Sequence, residues 1–407
     1  MASSSCLLWC ASFALLLAVG FSAPAPPEQI RLAVTGTKGE MVVGWATLSK
    51  SGTKVQYTCS GCGQYVVEGK ASYYYMPWLP IYVSPQIHFA TLRHLNASTV
   101  YSYRVGDESG GWSDFYQFTT EPEVAPTPDR PIRILSIGDE GATADSKEVL
   151  AAMMTTDQQL HFDLLVHAGD ISYANGVQEI WDVWGRLTQP LASHLPWMVA
   201  VGNHELIDLL LPYLNRFSMP AQQSGGTWGN LYYSWDYGNI HFIALDSESF
   251  EYFEMSPQHV WLKQDLHNVN RTKTPWVVAF WHTPWYCSNT GAGWLMKGSF
   301  EDLFYKYKVD LVLQGHVHAY ERTHPVYKGN VTADAPVYIT NGVGGNGEGL
   351  YKHWEQPPPA WAAKSVSEYG FGYFEVYNAT HLHWTMKRSS DSTVIDEAWL
   401  VRPAIRR

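Results

Sequence analysis

Five aliphatic runs of strand length in the latter two thirds of the chain each stop at a short polar sequence, and this recurrence restricts the fold more than any other feature. IRILSI runs into Gly138-Asp139-Glu140-Gly141, FDLLVHA into Gly169-Asp170-Ile171-Ser172-Tyr173, and WMVAV into Gly202-Asn203-His204-Glu205. WVVAFW runs into His282-Thr283-Pro284, and VDLVLQ into Gly315-His316-Val317-His318. Runs apolar on both faces read as strands buried in a parallel or mixed sheet, which keeps its chemistry at the carboxyl ends. Carboxylates, a phenol, an amide and imidazoles would then meet in one crevice. A glycine precedes the polar residues in four of the five cases. Gly315 is expected to let the backbone turn sharply enough for His316 and His318 to reach one point. Taken singly, each residue has a plain alternative: Asp139 and Asp170 as loop caps, Asn203 as a turn residue, Tyr173 as a cover for the sheet end, His282 as a strand cap. For those alternatives to hold throughout, five coincidences must fall in order. His324, His353 and His383 have no such company and read as surface or packing residues.

The segments around these runs divide the chain. From residue 27 to 121, short runs rich in β-branched and aromatic residues (EMVVGWAT, KVQYTC, SYYYM, IHFATL, TVYSYRVG, DFYQFTT) alternate with turn signals, which implies a small β-sandwich. EPEVAPTPDRP holds four prolines, so residues 122–130 read as a linker. From 131 to 400 the pattern becomes strand, loop, helix, with helices over SKEVLAAMMTTDQQ and GVQEIWDVWGRLTQPLASH. The late strands PVYIT, YGFGYFEVYN and HLHWTMKR favour a two-sheet α/β sandwich over one open sheet.

CLLWCASFALLLAVGF, residues 6–21, is short for a membrane span and is followed by small residues, so residues 1–22 read as a secretory signal. No Lys or Arg precedes the apolar run, which leaves an uncleaved anchor as the alternative. Sequons at Asn96, Asn270, Asn330 and Asn378 suit a glycosylating route, ending outside the cell or in a vacuolar or lysosomal lumen. Past the signal only Cys59, Cys62 and Cys287 remain. TCSGC could be a redox pair or half a zinc site; with no further ligands near, a local disulfide between Cys59 and Cys62 is preferred. Cys287 is left over, either as a thiol or as a link to another subunit. A net charge of −11 without a basic run argues against nucleic acid or anionic lipid as a partner, and makes an anionic substrate depend on positive charge at the site.

Metals would supply that charge. Carboxylates and a phenolate suit a trivalent ion such as Fe(III), whereas Asn203 and imidazoles suit a divalent one, Zn, Mn or Fe(II). Two ions about 3.5–4 Å apart stabilise attacking and leaving oxygens together at phosphorus, which points to phosphoester hydrolysis.

GDEG, GDISY, GNHE, the His of WHTPWY, and GHVH also resemble the five ordered motifs of the metallophosphoesterases, the calcineurin-like superfamily, and within it the purple acid phosphatases of plant type. Asp139-Glu140-Gly141 in place of Asp-x-His, together with Tyr173, is the mark of the purple branch. The resemblance covers about residues 27–400. It implies an N-terminal fibronectin III-like β-sandwich before a two-sheet metallophosphoesterase sandwich. It makes Asp139, Tyr173 and His318 ligands of Fe(III), Asp170 the bridge, and Asn203, His282 and His316 ligands of the divalent ion. A hydroxide held by this Fe(III)–M(II) centre would attack small phosphate monoesters. His204, not a ligand, would serve the phosphoryl group or leaving group, with Asn203 and His316 also near the substrate. The tyrosinate gives the family its colour, and a homodimer is the family's expectation.

One departure matters. Plant-type members carry histidines about ten residues after the divalent-metal histidine, and here no histidine lies between His282 and His316. Leaving-group protonation would fall to His204, to water, or to Glu140. Three readings stay open: an acid phosphatase on monoesters, a phosphodiesterase or nucleotide pyrophosphatase with Trp294 stacking on a base, and a metal-bearing binding protein of little activity.

Overall fold

The computed structural model describes residues 25–403, apart from 50, 77–80, 124, 227–228, 250 and 290–293. The leader at 6–21 therefore lies outside the described residues. No helix among the described residues is long and apolar enough to cross a membrane.

Strands Glu28–Val34, Met41–Thr47, Gln86–Leu92 and Lys70–Ser72 form one antiparallel sheet. Lys54–Cys59, Tyr65–Glu68, Val100–Asp107, Gly111–Trp112 and Tyr116–Thr119 form the sheet packed against it. Period-two burial along Lys54–Cys59 and Val100–Asp107 turns Val55, Tyr103 and Val105 inward, into one core with Val43 and Trp45. The N-terminal β-sandwich is thus present. Cys59 and Cys62 are disulfide-bonded at the tip of a strand. The expected strand SYYYM is split: Ser72 ends the strand Lys70–Ser72, and Tyr75–Met76 pairs with Tyr82–Val83 alone. Tyr74, Met76 and Tyr82 bury against Leu211 rather than within the sandwich, so a tertiary contact overrides the local β preference. Glu28–Val34 escaped notice because it lacks alternation: the helix Glu179–Ala192 covers its other side, where Gln29 Nε2 donates to Asp182 Oδ1 at 3.0 Å.

Arg216 ties the two halves together. Its buried guanidinium donates to Gln29 Oε1, Tyr74 Oη, Tyr82 Oη and Asp182 Oδ1 at 2.8–2.9 Å. A cation so deeply buried is tolerable only with that full set of acceptors.

Two sheets build the second half. One runs in the order Trp197–Val199, Leu164–His167, Ile132–Ile137, Gly370–Val376, His381–Arg388, Val394–Val401, with the first three parallel. The other runs Tyr233–Tyr237, Ile240–Ala244, Trp276–Phe280, Leu311–Gln314, Val337–Asn341, Tyr320–Thr323, Ala362–Val366. Its strands from Ile240–Ala244 to Val337–Asn341 are parallel. Phe242 meets Phe374 across the sandwich, and Trp384 Nε1 donates to Tyr320 Oη at 2.9 Å. On the outer face Val277, Ala279, Trp281 and Val312 pack with Leu262, Phe300 and Phe304 of the helices Pro257–Asn268 and Trp294–Lys306. Strands apolar on both faces are thus explained by layers on both sides. Asn341 Nδ2 donates to the Ser136 carbonyl at 2.8 Å, locking the two sheets together where the ligand-bearing loops begin.

His241 is held between two carboxylates, with Nδ1 2.8 Å from Asp236 Oδ1 and Nε2 3.0 Å from Asp265 Oδ2. Burial alone would lower its pKa, but the bonds to Asp236 and Asp265 raise it to about 9. A folded-state pKa above the unfolded value of about 6.5 stabilises fully below that value, and the effect fades as pH rises through about 9. His241→Gln should therefore lower the thermal midpoint most at pH 6 and approach the parent protein by pH 10. A midpoint difference independent of pH would remove the charged pairing.

Candidate metal centre

All the ligand-bearing loops leave the same edge of the sandwich, because the parallel strands share one direction. The loop after Ile132–Ile137 presents Asp139, that after Leu164–His167 presents Asp170 and Tyr173, and that after Trp197–Val199 presents Asn203. The other sheet contributes His282, His316 and His318.

The side chains meet as two overlapping groups. Tyr173 Oη donates to Asp139 Oδ1 at 3.0 Å and lies 2.9 Å from His318 Nε2 and 3.4 Å from Asp170 Oδ2. His282 Nε2 lies 3.0 Å from both Asp170 Oδ2 and Asn203 Oδ1, and His316 Nδ1 lies 2.8 Å from that Asn203 oxygen. Asp170 belongs to both groups. The ligating atoms of Asp170, His282 and His316 all fall within 4.8 Å of one another.

Outer contacts fix which ring nitrogen is offered. A carbonyl can only accept, so His282 donates Nδ1–H to the Ala168 carbonyl at 2.8 Å and His318 donates Nδ1–H to the Gly349 carbonyl at 3.0 Å. Nε2 of each then faces the cluster with a lone pair. His316 turns the other way and offers Nδ1.

The electrostatics favour cations. Burial would raise the Asp139 carboxyl, but His282, His318 and His316 draw it down to about 2. Burial lowers His282, yet Asp170 and Asp139 carry it well above an ordinary histidine. Burial, Asp139 and Asp170 all push the Tyr173 phenol well above 10, so its phenolate needs strong positive charge beside it. Two buried carboxylates, a phenol, an amide oxygen and three imidazoles therefore fit a pair of metal ions, with Asp139, the phenol and one imidazole on one side and two imidazoles with the amide oxygen on the other.

The backbone is bent to achieve this. Asp139, Asp170, Tyr173 and His316 all have positive φ, between 52° and 68°, at about 1–3 kcal/mol each for residues with a Cβ. At the last tip the turn falls on His316 rather than on Gly315, which corrects the expectation drawn from the sequence. Gly315 is needed for space: a Cβ there would sit 2.9 Å from the Ala168 carbonyl oxygen, and closer still to Asp139 Oδ2.

Comparison with known proteins shows the family. Residues 27–120 match a family model described as the purple acid phosphatase N-terminal domain, 132–320 one described as calcineurin-like phosphoesterase, and 335–397 one described as iron/zinc purple acid phosphatase-like protein C. Purple acid phosphatase 18 of Arabidopsis thaliana is 38% identical over 388 residues, covering 92% of this chain and 84% of that one. The chain belongs to the purple acid phosphatases. Fe(3+)-Zn(2+) purple acid phosphatase 12 of the same plant is 33% identical over 411 residues, covering 93% and 85%. A purple acid phosphatase from yellow lupin (Lupinus luteus) seeds shares the fold, with a TM-score of 0.82 at 23% identity, over 93% of this chain and 74% of that one.

In this purple acid phosphatase His204 stands beside the cluster. Its ring lies 4.2 Å from that of Tyr173, its Nδ1 is 2.5 Å from Asn175 Oδ1, and its Nε2 is 3.5 Å from Glu348 Oε1 and 3.8 Å from Asp170 Oδ2. Glu140 is removed as a proton donor: it is fully buried, where its Oε2 accepts from Trp184 Nε1 at 2.8 Å and lies 3.4 Å from His167. Residues 290–293 and the side chain of Trp294, on which the expected base stacking rests, lie outside the described residues.

Sequence reasoning passed over two supports. Glu205 accepts the amide N–H groups of Gly202, Asp170 and Ile171 at 2.8–2.9 Å, clamping two ligand loops together. Its place three residues after Gly202 at a helix start was a capping signal. The 342–351 loop adds Glu348, and Tyr351 packs its ring 4.8 Å from that of His318. No motif marked that segment. Asn96, Asn270 and Asn330 are exposed, and Asn378 is half-buried.

Gly315→Ala should depress metal content and activity together, since the added methyl displaces Asp139. A variant with full metal content would show that this strand tip has room to spare.

Proposed function

We propose that Asp139, Tyr173 and His318 hold Fe(III), that Asp170 bridges, and that Asn203, His282 and His316 hold a divalent ion, with Zn favoured over Mn or Fe(II) by the Fe(3+)-Zn(2+) relative. The observation that carries this reading is the mutual contact of these side chains from five separate strand tips around Asp170. The activity is acid phosphatase: hydrolysis of phosphate monoesters. When bound, such a pair supplies positive charge for the phosphoryl oxygens and acidifies water toward a pKa of about 7.

The chain's own groups do the rest. Asn175 Oδ1 accepts a hydrogen bond from His204 Nδ1–H, which turns Nε2 toward the substrate, where the imidazolium form carries a second proton for a phosphoryl or leaving-group oxygen. Asn203 and His316 flank the same space. With Glu140 buried elsewhere and no histidine between His282 and His316, His204 is the residue we assign to leaving-group protonation. A general acid contributes about 10²- to 10⁴-fold, so esters with poor leaving groups depend on it most.

The leader and the sequons support a secretory route, with domains over 27–121 and 131–400 joined by the 122–130 linker. Treatment of the cell-expressed protein with an N-glycosidase should lower its apparent mass.

Three measurements test the reading. The purified protein should contain iron, absorb in the visible and hydrolyse monoesters faster than diesters, and metal removal should abolish both colour and turnover. Tyr173→Phe should lose the visible band; a band that survives excludes Tyr173 as a ligand. His204→Ala should slow alkyl phosphates about 10²-fold or more, and aryl phosphates much less. Equal losses on both would assign proton donation to another group.

A further inference from the structure

The strands that carry the ligands also have amino ends, and at that opposite pole the two sheets part around a cleft of about 650 Å³. Its walls are the starts of Trp276–Phe280, Leu311–Gln314 and Val337–Asn341 and the end of Val394–Val401. The volume lies within the range of about 300–1,000 Å³ typical of small-molecule sites. Asp310 in this wall and His316 at the metal centre are separated by the length of one strand, roughly 20 Å at 3.3 Å per residue.

A half-buried cation on this cleft has two nitrogens without a hydrogen-bond acceptor among the described residues. Arg402 is fixed by its backbone N–H, which donates to the Thr380 carbonyl at 3.0 Å, and its guanidinium carbon lies 5.7 Å from the centre of the Trp276 ring. Its Nε and Nη1 are both shut off from solvent, and neither makes a hydrogen bond among the described residues. Asp310 Oδ1 comes no nearer to Nε than 3.7 Å. That carboxylate is already engaged, since its Oδ2 accepts from Arg271 Nη1 at 3.0 Å and from Val277 N at 2.8 Å. Arg322, also in the wall, is closed by Asp396 at 2.6 and 3.0 Å.

Leaving a buried donor unmatched costs about 1–3 kcal/mol, more when it is charged. Burial holds the Arg402 pKa below the usual arginine value; Asp310 opposes that and Arg271 adds to it. The charge around Arg402 is therefore under-compensated, in a chain whose net charge is −11. Beside it Ala335, Val337 and Leu400 give an apolar wall, and Lys308 stands exposed at the rim. Exposed Asp334 on the same rim weighs against a polyanion.

We propose that this cleft is a second ligand site, apart from the metal centre, for a small molecule that joins one anionic head (carboxylate, sulfonate or phosphate) to an apolar body. The head pairs with the charge of the Arg402 guanidinium and of Lys308 on the cleft wall, and the body lies against Ala335, Val337 and Leu400.

Titration of the metal-loaded protein with 8-anilinonaphthalene-1-sulfonate, followed by fluorescence, tests it. The parent protein should show one saturable site, and Arg402→Gln should weaken it by about tenfold or more, the worth of one charge-assisted bond. Phosphatase activity of the variant, expected unchanged, reports that it has folded. Should Arg402→Gln fail to fold, Lys308→Glu decides, because that side chain is exposed: affinity weakened about threefold supports the site. Displacement of the probe by benzoate or by inorganic phosphate supports it further and distinguishes a carboxylate ligand from a phosphate. Absence of saturable binding, affinity unchanged in a folded Arg402→Gln, or affinity unchanged in Lys308→Glu overturns the proposal.

Discussion

The structure turns on the crowding of buried carboxylates and imidazoles around Asp170. Without positive charge the arrangement is costly: Asp139 and Asp170 are buried, and Tyr173 faces both of them. Within the described residues His282 and His318 offset this by drawing protons, and the amide N–H groups of His204 and His316 donate to Asp170 and Asp139, whereas burial and His282 push His316 the other way. A pair of cations would relieve all of it at once, letting the histidines stay neutral and the phenol ionise. The same charge set suits cations.

Strain is concentrated in the same loops. Four residues of the cluster hold left-handed backbone conformations, and glycines at 202 and 315 leave no space for a methyl group. Such geometry persists only where the surroundings over-determine it. Here the surroundings are Glu205, which clamps the loops at 170 and 202, and Asn341, which locks one sheet to the other. The carbonyls of Ala168 and Gly349 then set ring orientation at His282 and His318. Positioning at the centre is thus paid for by hydrogen bonds one layer out.

Among the described residues the N-terminal sandwich contributes no side chain to the cluster. It grips the catalytic half through Arg216, Asp182, Tyr74 and Tyr82, next to the helix that follows the Tyr173 loop. At the opposite pole the sheets diverge, and the cleft around Arg402 is what that divergence leaves.

The sequence alone indicated the central strands, their direction and the residues that gather at their tips, because aliphatic runs on both faces require cover on both sides and because polar residues recurred at the tips. IRILSI and KVQYTC became strands with those bounds. It also showed that His316 and His318 share a turn. Only the tertiary structure decided where the backbone strain lies, on His316 and not Gly315, since a glycine in sequence does not say whether it serves rotation or space. Only it could turn Glu140 away from the centre and bring Glu205 and Glu348 toward it, for a carboxylate next to a motif points wherever packing sends it. Arg402 and Asp310 lie far apart along the chain, and contacts between such residues leave no periodic trace to read.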